Sequence, residues 1–206
     1  MADAEAICEA VTRPTMRFVP VKSTDQQAVL MFHRTRALLM RQRTMAVNAL
    51  RGHLAEFGLV AAQGAKSLAE LIESVFEGSG TDDDAVPPLA RRALAPLVAQ
   101  LRQLQAQIKA IEVELLAWHR ATDASRRLET IPGVGFITAT AIAATVTDPS
   151  HFTSGKNAAG AQWVNALLAR RPARLVSVAL ANKTARIIWA VLVRGETYRA
   201  PASAAV

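Results

Sequence analysis

The run LVAQLRQLQAQIKAIEVELLAW (residues 97–118) decides how this chain folds. Leu97, Leu101, Leu104, Ile108, Ile111, Leu115 and Trp118 recur at alternating steps of four and three, a heptad seam held for three repeats. Ala90 and Leu94 extend the seam back past Pro96, where a kink is expected, and Pro87 or Pro88 starts the helix. Burying all seven side chains is worth on the order of 10–20 kcal/mol before entropy costs. The seam therefore needs a partner, either another helix of this chain or a second copy of it.

The helix opened by Ser23 offers that partner. Ser23 and Gln26 form a capping box. The pattern then runs to Gly52, with Gly58 as a C′ stop after Phe57. It carries two apolar seams. One is Met31, Leu38 and Met45; the other is Phe32, Leu39, Leu50, Leu54 and Phe57. A helix apolar on two sides packs against two neighbours. Arginines interrupt each seam at heptad spacing, Arg34 and Arg41 in the first, Arg36 and Arg43 in the second. They either snorkel along the seam edges or face a nucleic-acid backbone, and spacing does not choose. Paired with residues 97–118, this helix gives an antiparallel helical hairpin, coiled-coil-like in its repeat.

Between the two, Ser67 and Glu70 form a second capping box ahead of Leu68, Leu71, Ile72, Val75 and Phe76, a short amphipathic helix ended by Gly78. Gly78 to Val86 is a loop. Its Asp82-Asp83-Asp84 is read as a solvated charge run, because adjacent carboxylates do not converge on a metal and EF-hand spacing is absent. At the start, Asp3 to Thr12 is a short helix stopped before Pro14, and Thr15 to Val21 is extended.

Further along, Ile131-Pro132-Gly133-Val134-Gly135 joins two helical patterns. The first is Ala124 to Glu129, with Asp123 or Ser125 as N-cap; the second leaves immediately at Phe136. Pro132 pre-sets one backbone angle, and the glycines allow left-handed or crowded backbone. Gly135 removes bulk where a helix begins, so free amides can approach a phosphate. The pattern resembles a helix-hairpin-helix, a DNA-binding element that reads no base. The candidate DNA contacts are Pro132, Gly133, Val134, Gly135 and Thr138, with Arg126 and Arg127 on the preceding helix. A tight helical corner without a ligand has the same sequence signature.

Composition points the same way. The formal charge is +7, and nineteen of the 24 basic residues are arginine, whose planar fork suits phosphate. Alanine, leucine and arginine dominate and only ten residues are aromatic, which favours an all-α fold. Cys8 is the lone cysteine, so an intramolecular disulfide is excluded and a reducing, cytoplasmic setting is expected. The plain apolar run Ile187 to Val193 is too short to span a bilayer, so no membrane role is expected. The last helical pattern is apolar almost all round near Trp189 and should be buried.

Several chemistries leave no trace. His33, His53, His119 and His151 are scattered without metal-ligand spacing and read as surface or packing residues. There is no phosphate-cradling Gly-rich loop with lysine and no nucleophile elbow. Ser154 reads as a helix N-cap.

Long stretches nevertheless resemble one family. HRTRALLMRQRTMAVNALRGHLAEFG (33–58), TIPGVGFITATAIAATVTDPSHFTSGK (130–156), LARRPARLVSVALANKTARIIWAVLVRGETYR (168–199) and ADAEAICEAVTRP (2–14) look like the IS-110-type insertion-sequence transposases, RNA-guided DNA recombinases. The resemblance implies an N-terminal nuclease-like domain with four acidic Mg²⁺ ligands, a long helical hairpin, and a C-terminal domain whose serine attacks DNA. Asp3 matches the last acidic position, an orphan of that tetrad; the other three and their sheet are expected to be missing. Near Ala159 and Gly160 the family continues into a Gly/Ser-rich segment with the catalytic serine, whereas this chain passes straight to Ala161-Gln162-Trp163. Ser154 matches a non-catalytic position. The expectation is a remnant that retains no Mg²⁺ site or other metal, binds DNA, with guide RNA as the second candidate partner, and forms a homo-oligomer or pairs with a full-length transposase. An active short recombinase acting through Asp3 and Ser154 is the competing reading. The domain expectation is a remnant of the nuclease-like domain at 1–22, the hairpin at 23–122, and the helix-hairpin-helix with C-terminal helices at 123–206.

Overall fold

The computed structural model describes residues 2–13, 20–62, 64–76, 85–151 and 172–199. Every α-helix or strand among them is an α-helix, so the all-α class holds. In order they are α1 (Ala2–Thr12), α2 (Thr24–Ala55), α3 (Ala65–Phe76), α4 (Pro88–Ala121), α5 (Asp123–Glu129), α6 (Phe136–Thr145), a 3₁₀ turn (Pro149–His151) and α7 (Ala173–Arg194). The chain divides into two compact units, Met31–Glu114 and Met1–Leu30 with Leu115–Val206.

In the 31–114 unit, Leu50 and Leu54 of α2, Leu68, Ile72 and Val75 of α3, and Leu94, Val98 and Leu101 of α4 form one core with Val86. Arg36 donates from Nε (2.8 Å) and Nη2 (2.6 Å) to Glu112 Oε1. Further along α2, Arg43, Val47 and Arg51 line the same cleft as Val98, Leu101 and Arg102. Advancing along α2 therefore means retreating along α4, so the two helices run antiparallel. Arg51 Nη2 also donates to the carbonyls of Ala62 (2.9 Å) and Gly64 (2.8 Å), tying down the α2–α3 connection.

The heptad seam of α4 faces inward, with Leu101, Leu104, Ile108 and Leu115 buried. Of the two seams on α2, one is buried at Leu50 and Leu54 and half-buried at Leu39, while its ends at Phe32 and Phe57 are exposed. The other is in solvent: Met31 is 64 % exposed, Leu38 46 % and Met45 71 %. The expectation of two packed sides fails there, because period identifies an apolar stripe but not what covers it.

Cap positions follow the competition for side-chain oxygens. Ser23 Oγ accepts from the Gln26 amide (3.2 Å) and Gln26 Oε1 from the Ser23 amide (3.0 Å), the reciprocal box expected from sequence. Ser67 is no cap, since α3 has already started at Ala65. α2 ends at Ala55, three residues short of Gly58, whose φ of +77° turns the chain. Of the expected extension at Thr15 to Val21 only Pro20 and Val21 are described, in no helix or strand; the rest of it and Asp82-Asp83-Asp84 lie outside the described residues.

In the other unit, Leu128, Ile131, Val134, Ala139, Ala143 and Val191 form a second core, against which Trp118, Ile187, Ile188 and Leu192 pack. Within α7, Leu175–Arg194 has a mean hydropathy of 1.5 and is long enough to cross a bilayer, so counting only the plain apolar run understated it. The same helix docks on this core through Val191, and Trp189 Nε1 donates to the Pro149 carbonyl (2.9 Å). Burial all round is not what α7 shows: Leu175, Val178, Leu180 and Val193 are exposed.

Candidate nucleic-acid interface

The α5–α6 turn is built from alternate residues turned in and out. Ile131 and Val134 are buried, whereas Pro132, Gly133 and Gly135 are exposed. The amide of Ile131 donates to the Leu128 carbonyl (3.1 Å) and that of Val134 to the Ile131 carbonyl (3.0 Å), which closes the turn. Gly133 has φ of +85°, the left-handed region that favours glycine. Gly135 differs. Its φ is −85° and ψ 172°, extended backbone open to any residue. A Cβ there would meet nothing within 4 Å. Neither backbone angle nor crowding inside the chain requires glycine at 135; the space beside it is open.

Gly135 is the N-cap of α6, and no side chain caps it. The first helical bond runs from the Ala139 amide to the Gly135 carbonyl (2.9 Å). The amides of Gly135, Phe136, Ile137 and Thr138 are thus left without an acceptor among the described residues. The exposed side chain of Thr138 lies on the same first turn. The arrangement can accept an anion at its apex, where the helix dipole adds to the amides.

The arginines are placed unequally. Arg126 is exposed and reaches Asp123 at 3.3 Å; Arg127 is half-buried and also pairs with Asp123. Asp123 is therefore not the N-cap of α5, and neither is Ser125. That position belongs to Thr122. Of the α2 arginines, Arg34 and Arg41 are exposed, Arg36 is committed to Glu112, and Arg43 lines the cleft of the 31–114 unit. Asp3 lies within α1. Ser154 and the junction at Ala159 and Gly160 lie outside the described residues.

Two features of this region escaped sequence reasoning. His119 is buried, with Nδ1 2.8 Å from Ser125 Oγ and Nε2 2.8 Å from Glu129 Oε2. A carboxylate only accepts, so Nε2 donates to Glu129. Serine, histidine and glutamate in sequence contact suggest a nucleophile relay, but Ser125 is fully buried and reaches no substrate. The group is a fastening of α5 to the end of α4. The second feature is the segment after α7, where the Tyr198 amide donates to Thr130 Oγ1 (2.9 Å) and the Tyr198 side chain packs on the second core. The i to i+6 and i to i+10 spacings around His119 gave a weak signal; the contact between residues 130 and 198 gave none.

Among the described residues, no three His, Cys, Asp or Glu side chains come together in a way that could hold the metal ion the family resemblance implies.

Residues 125–161, which include the whole turn, match the Transposase IS116/IS110/IS902 family. The chain is 36 % identical to y4pF/y4sB of Sinorhizobium fredii, a protein named as a transposase, over 96 % of this chain and 63 % of that relative. It is 36 % identical to a Pseudomonas aeruginosa protein named as a family 20 transposase, over 96 % of this chain and 72 % of the relative. It is 32 % identical to the transposase for insertion sequence element IS1111A of Coxiella burnetii, over 96 % and 67 %. The chain thus spans less than two thirds of the first of these relatives. The matches run over 249, 248 and 247 positions, whereas 96 % of 206 residues is about 198. About fifty positions inside the match are therefore filled in the relatives and empty here. No solved structure matches the chain. On these similarities, the chain belongs to the IS116/IS110/IS902 family of insertion-sequence transposases.

Proposed function

We propose that this chain is a nucleic-acid-binding member of its transposase family that no longer exchanges strands. The observation that carries the reading is the row of four amides at the start of α6 that have no acceptor among the described residues, beside the open face of Gly135. A sugar–phosphate backbone supplies the acceptors those amides need, and the net charge of +7 draws it in. Such contacts position a duplex and read no base. The partner is DNA of the insertion sequence, with guide RNA as the second nucleic acid the resemblance implies, and the setting is the cytoplasm. The loss of catalysis is our reading of the about fifty positions that are filled in the relatives and empty here, which we assign to the segment where the resemblance puts the catalytic serine. In this reading Asp3 is an orphan ligand, residues 1–22 descend from the nuclease-like domain, 23–122 form the helical hairpin, and 123–206 carry the DNA contact.

The test is fluorescence anisotropy with a labelled duplex. Binding is expected at a Kd of about 10⁻⁴–10⁻⁶ M at physiological salt, tightening steeply as salt falls. Gly135→Val places a side chain over the amides without straining the backbone, so it should weaken binding and leave the helix content unchanged. Equal binding by the folded variant would remove the turn from the interface. A covalent protein–DNA adduct that disappears in Ser154→Ala would restore the active recombinase.

Met31, Leu38 and Met45 favour a second, compatible reading. Exposed at heptad spacing, they suit a helical module that pairs with another copy or with a full-length relative. Sedimentation of the wild type against Leu38→Glu after nuclease treatment tests it; identical monomeric behaviour argues against pairing with another copy.

A further inference from the structure

The 31–114 unit contains a cleft of about 390 Å³ between α2, α3 and α4, lined wholly by residues of that unit. Its volume falls in the roughly 300–1,000 Å³ range of small-ligand sites. Arg43 and Arg51 line it together with Glu73 and with Arg102, which has a partner of its own. Among the described residues neither Arg43 nor Arg51 has a carboxylate partner. Arg51 is held in place by the Ala62 and Gly64 carbonyls, and its Nε is buried without an acceptor. A partly buried cation without a counter-charge is costly, and an anion entering the cleft offsets that cost. Beside the arginines the lining is apolar at Val47, Leu68 and Ile72, with Val47 half-buried and the other two buried. Inorganic phosphate gains nothing from such a wall. A ligand carrying both a phosphate and a flat, largely apolar body uses both halves, and a fixed guanidinium plane can stack on a base.

We propose that this cleft is a nucleotide site, with Arg43 taking the phosphate and Arg51 with the apolar wall taking the base. The nucleotide is either free or one unit of a single strand threaded past α3. Pre-fixing Arg51 lowers the ordering cost of binding. The proposal stands on the 31–114 unit by itself and does not depend on the α5–α6 turn.

The experiment titrates the full ¹⁵N-labelled chain with adenosine monophosphate, a short single-stranded oligoadenylate or inorganic phosphate, following the Arg51 Nε–H resonance. The expected result is a saturable shift with the monophosphate, the oligoadenylate or both, and far weaker binding of inorganic phosphate. Saturation by the oligoadenylate alone identifies the single strand as the source of the nucleotide. Arg43→Gln should weaken binding about tenfold or more. Ala69→Phe, which fills the cleft from α3 without changing charge, should abolish it. Arg34→Gln, outside the lining, should have no effect, and Gly135→Val should keep the monophosphate-induced shift even where duplex binding is lost. The proposal is overturned if neither nucleotide gives a saturable shift, if inorganic phosphate binds as tightly as the nucleotides, or if folded Arg43→Gln binds like wild type.

Discussion

The two cores are made of different material. In the 31–114 unit, long helices bring together leucine, isoleucine and valine, and the side chains themselves are the structure. In the other unit, alanines at 139 and 143 sit beside Leu128, Ile131 and Val134, and what the packing fixes is the backbone of a turn. The first core therefore provides bulk stability. The second provides geometry: two buried residues hold Pro132, Gly133 and Gly135 at the surface. In this chain, large side chains mark where the fold is strong, and small ones mark where the main chain is presented.

The largest blow to that contrast is Leu50→Ala. Leu50 is fully buried, so the variant should lose about 2–5 kcal/mol in urea denaturation followed by circular dichroism. Duplex affinity measured under conditions where the variant is still folded should not change. If affinity falls in parallel, the two units do not divide labour as described. Next comes Ser125→Ala, which leaves His119 Nδ1 without its partner in a buried site and should cost about 1–3 kcal/mol. The amides of α5, followed by hydrogen exchange, should lose protection in that variant, and unaltered exchange would deny the fastening its role.

The glycines sharpen the comparison further. Gly133→Ala at φ of +85° should destabilise by about 1 kcal/mol, whereas Gly135→Ala should be close to neutral in the same denaturation assay. The smallest effect belongs to His33. Burial, and then the Arg36 guanidinium, hold its pKa below the usual 6.5. The folded chain therefore resists a proton that the unfolded chain accepts. Stability from this residue is complete above about pH 6.5 and is lost as pH falls through that value to the lowered folded one. A pH series of Tm should show a shallow acid decline that His33→Gln flattens.

Much of the fold was legible because local chemistry and tertiary need agree. The Ser23–Gln26 box and the α4 seam are periodic, local signals, and both stand where they were expected. Where the cap readings failed, the helix had started earlier than expected: α5 begins at Asp123 after Thr122, so Asp123 and Ser125 both lie inside it, Asp123 pairing with Arg126 and Arg127 and Ser125 with His119. The exposed Met31 seam shows the other limit: a stripe of apolar residues has no sense of direction until a neighbour is placed. At the turn, Pro-Gly-Val-Gly announced a corner, but sequence treated its glycines as equivalents. Only backbone angles separate Gly133, which is needed by the chain, from Gly135, which the chain itself does not need.

That distinction makes residue 135 a practical foothold. With φ of −85° and vacant surroundings, it tolerates a cysteine, and Cys8 is the sole thiol to be replaced first. A dye or spin label fixed there would ride on the helix start and report whatever arrives at it, while the packing beneath stays as it was.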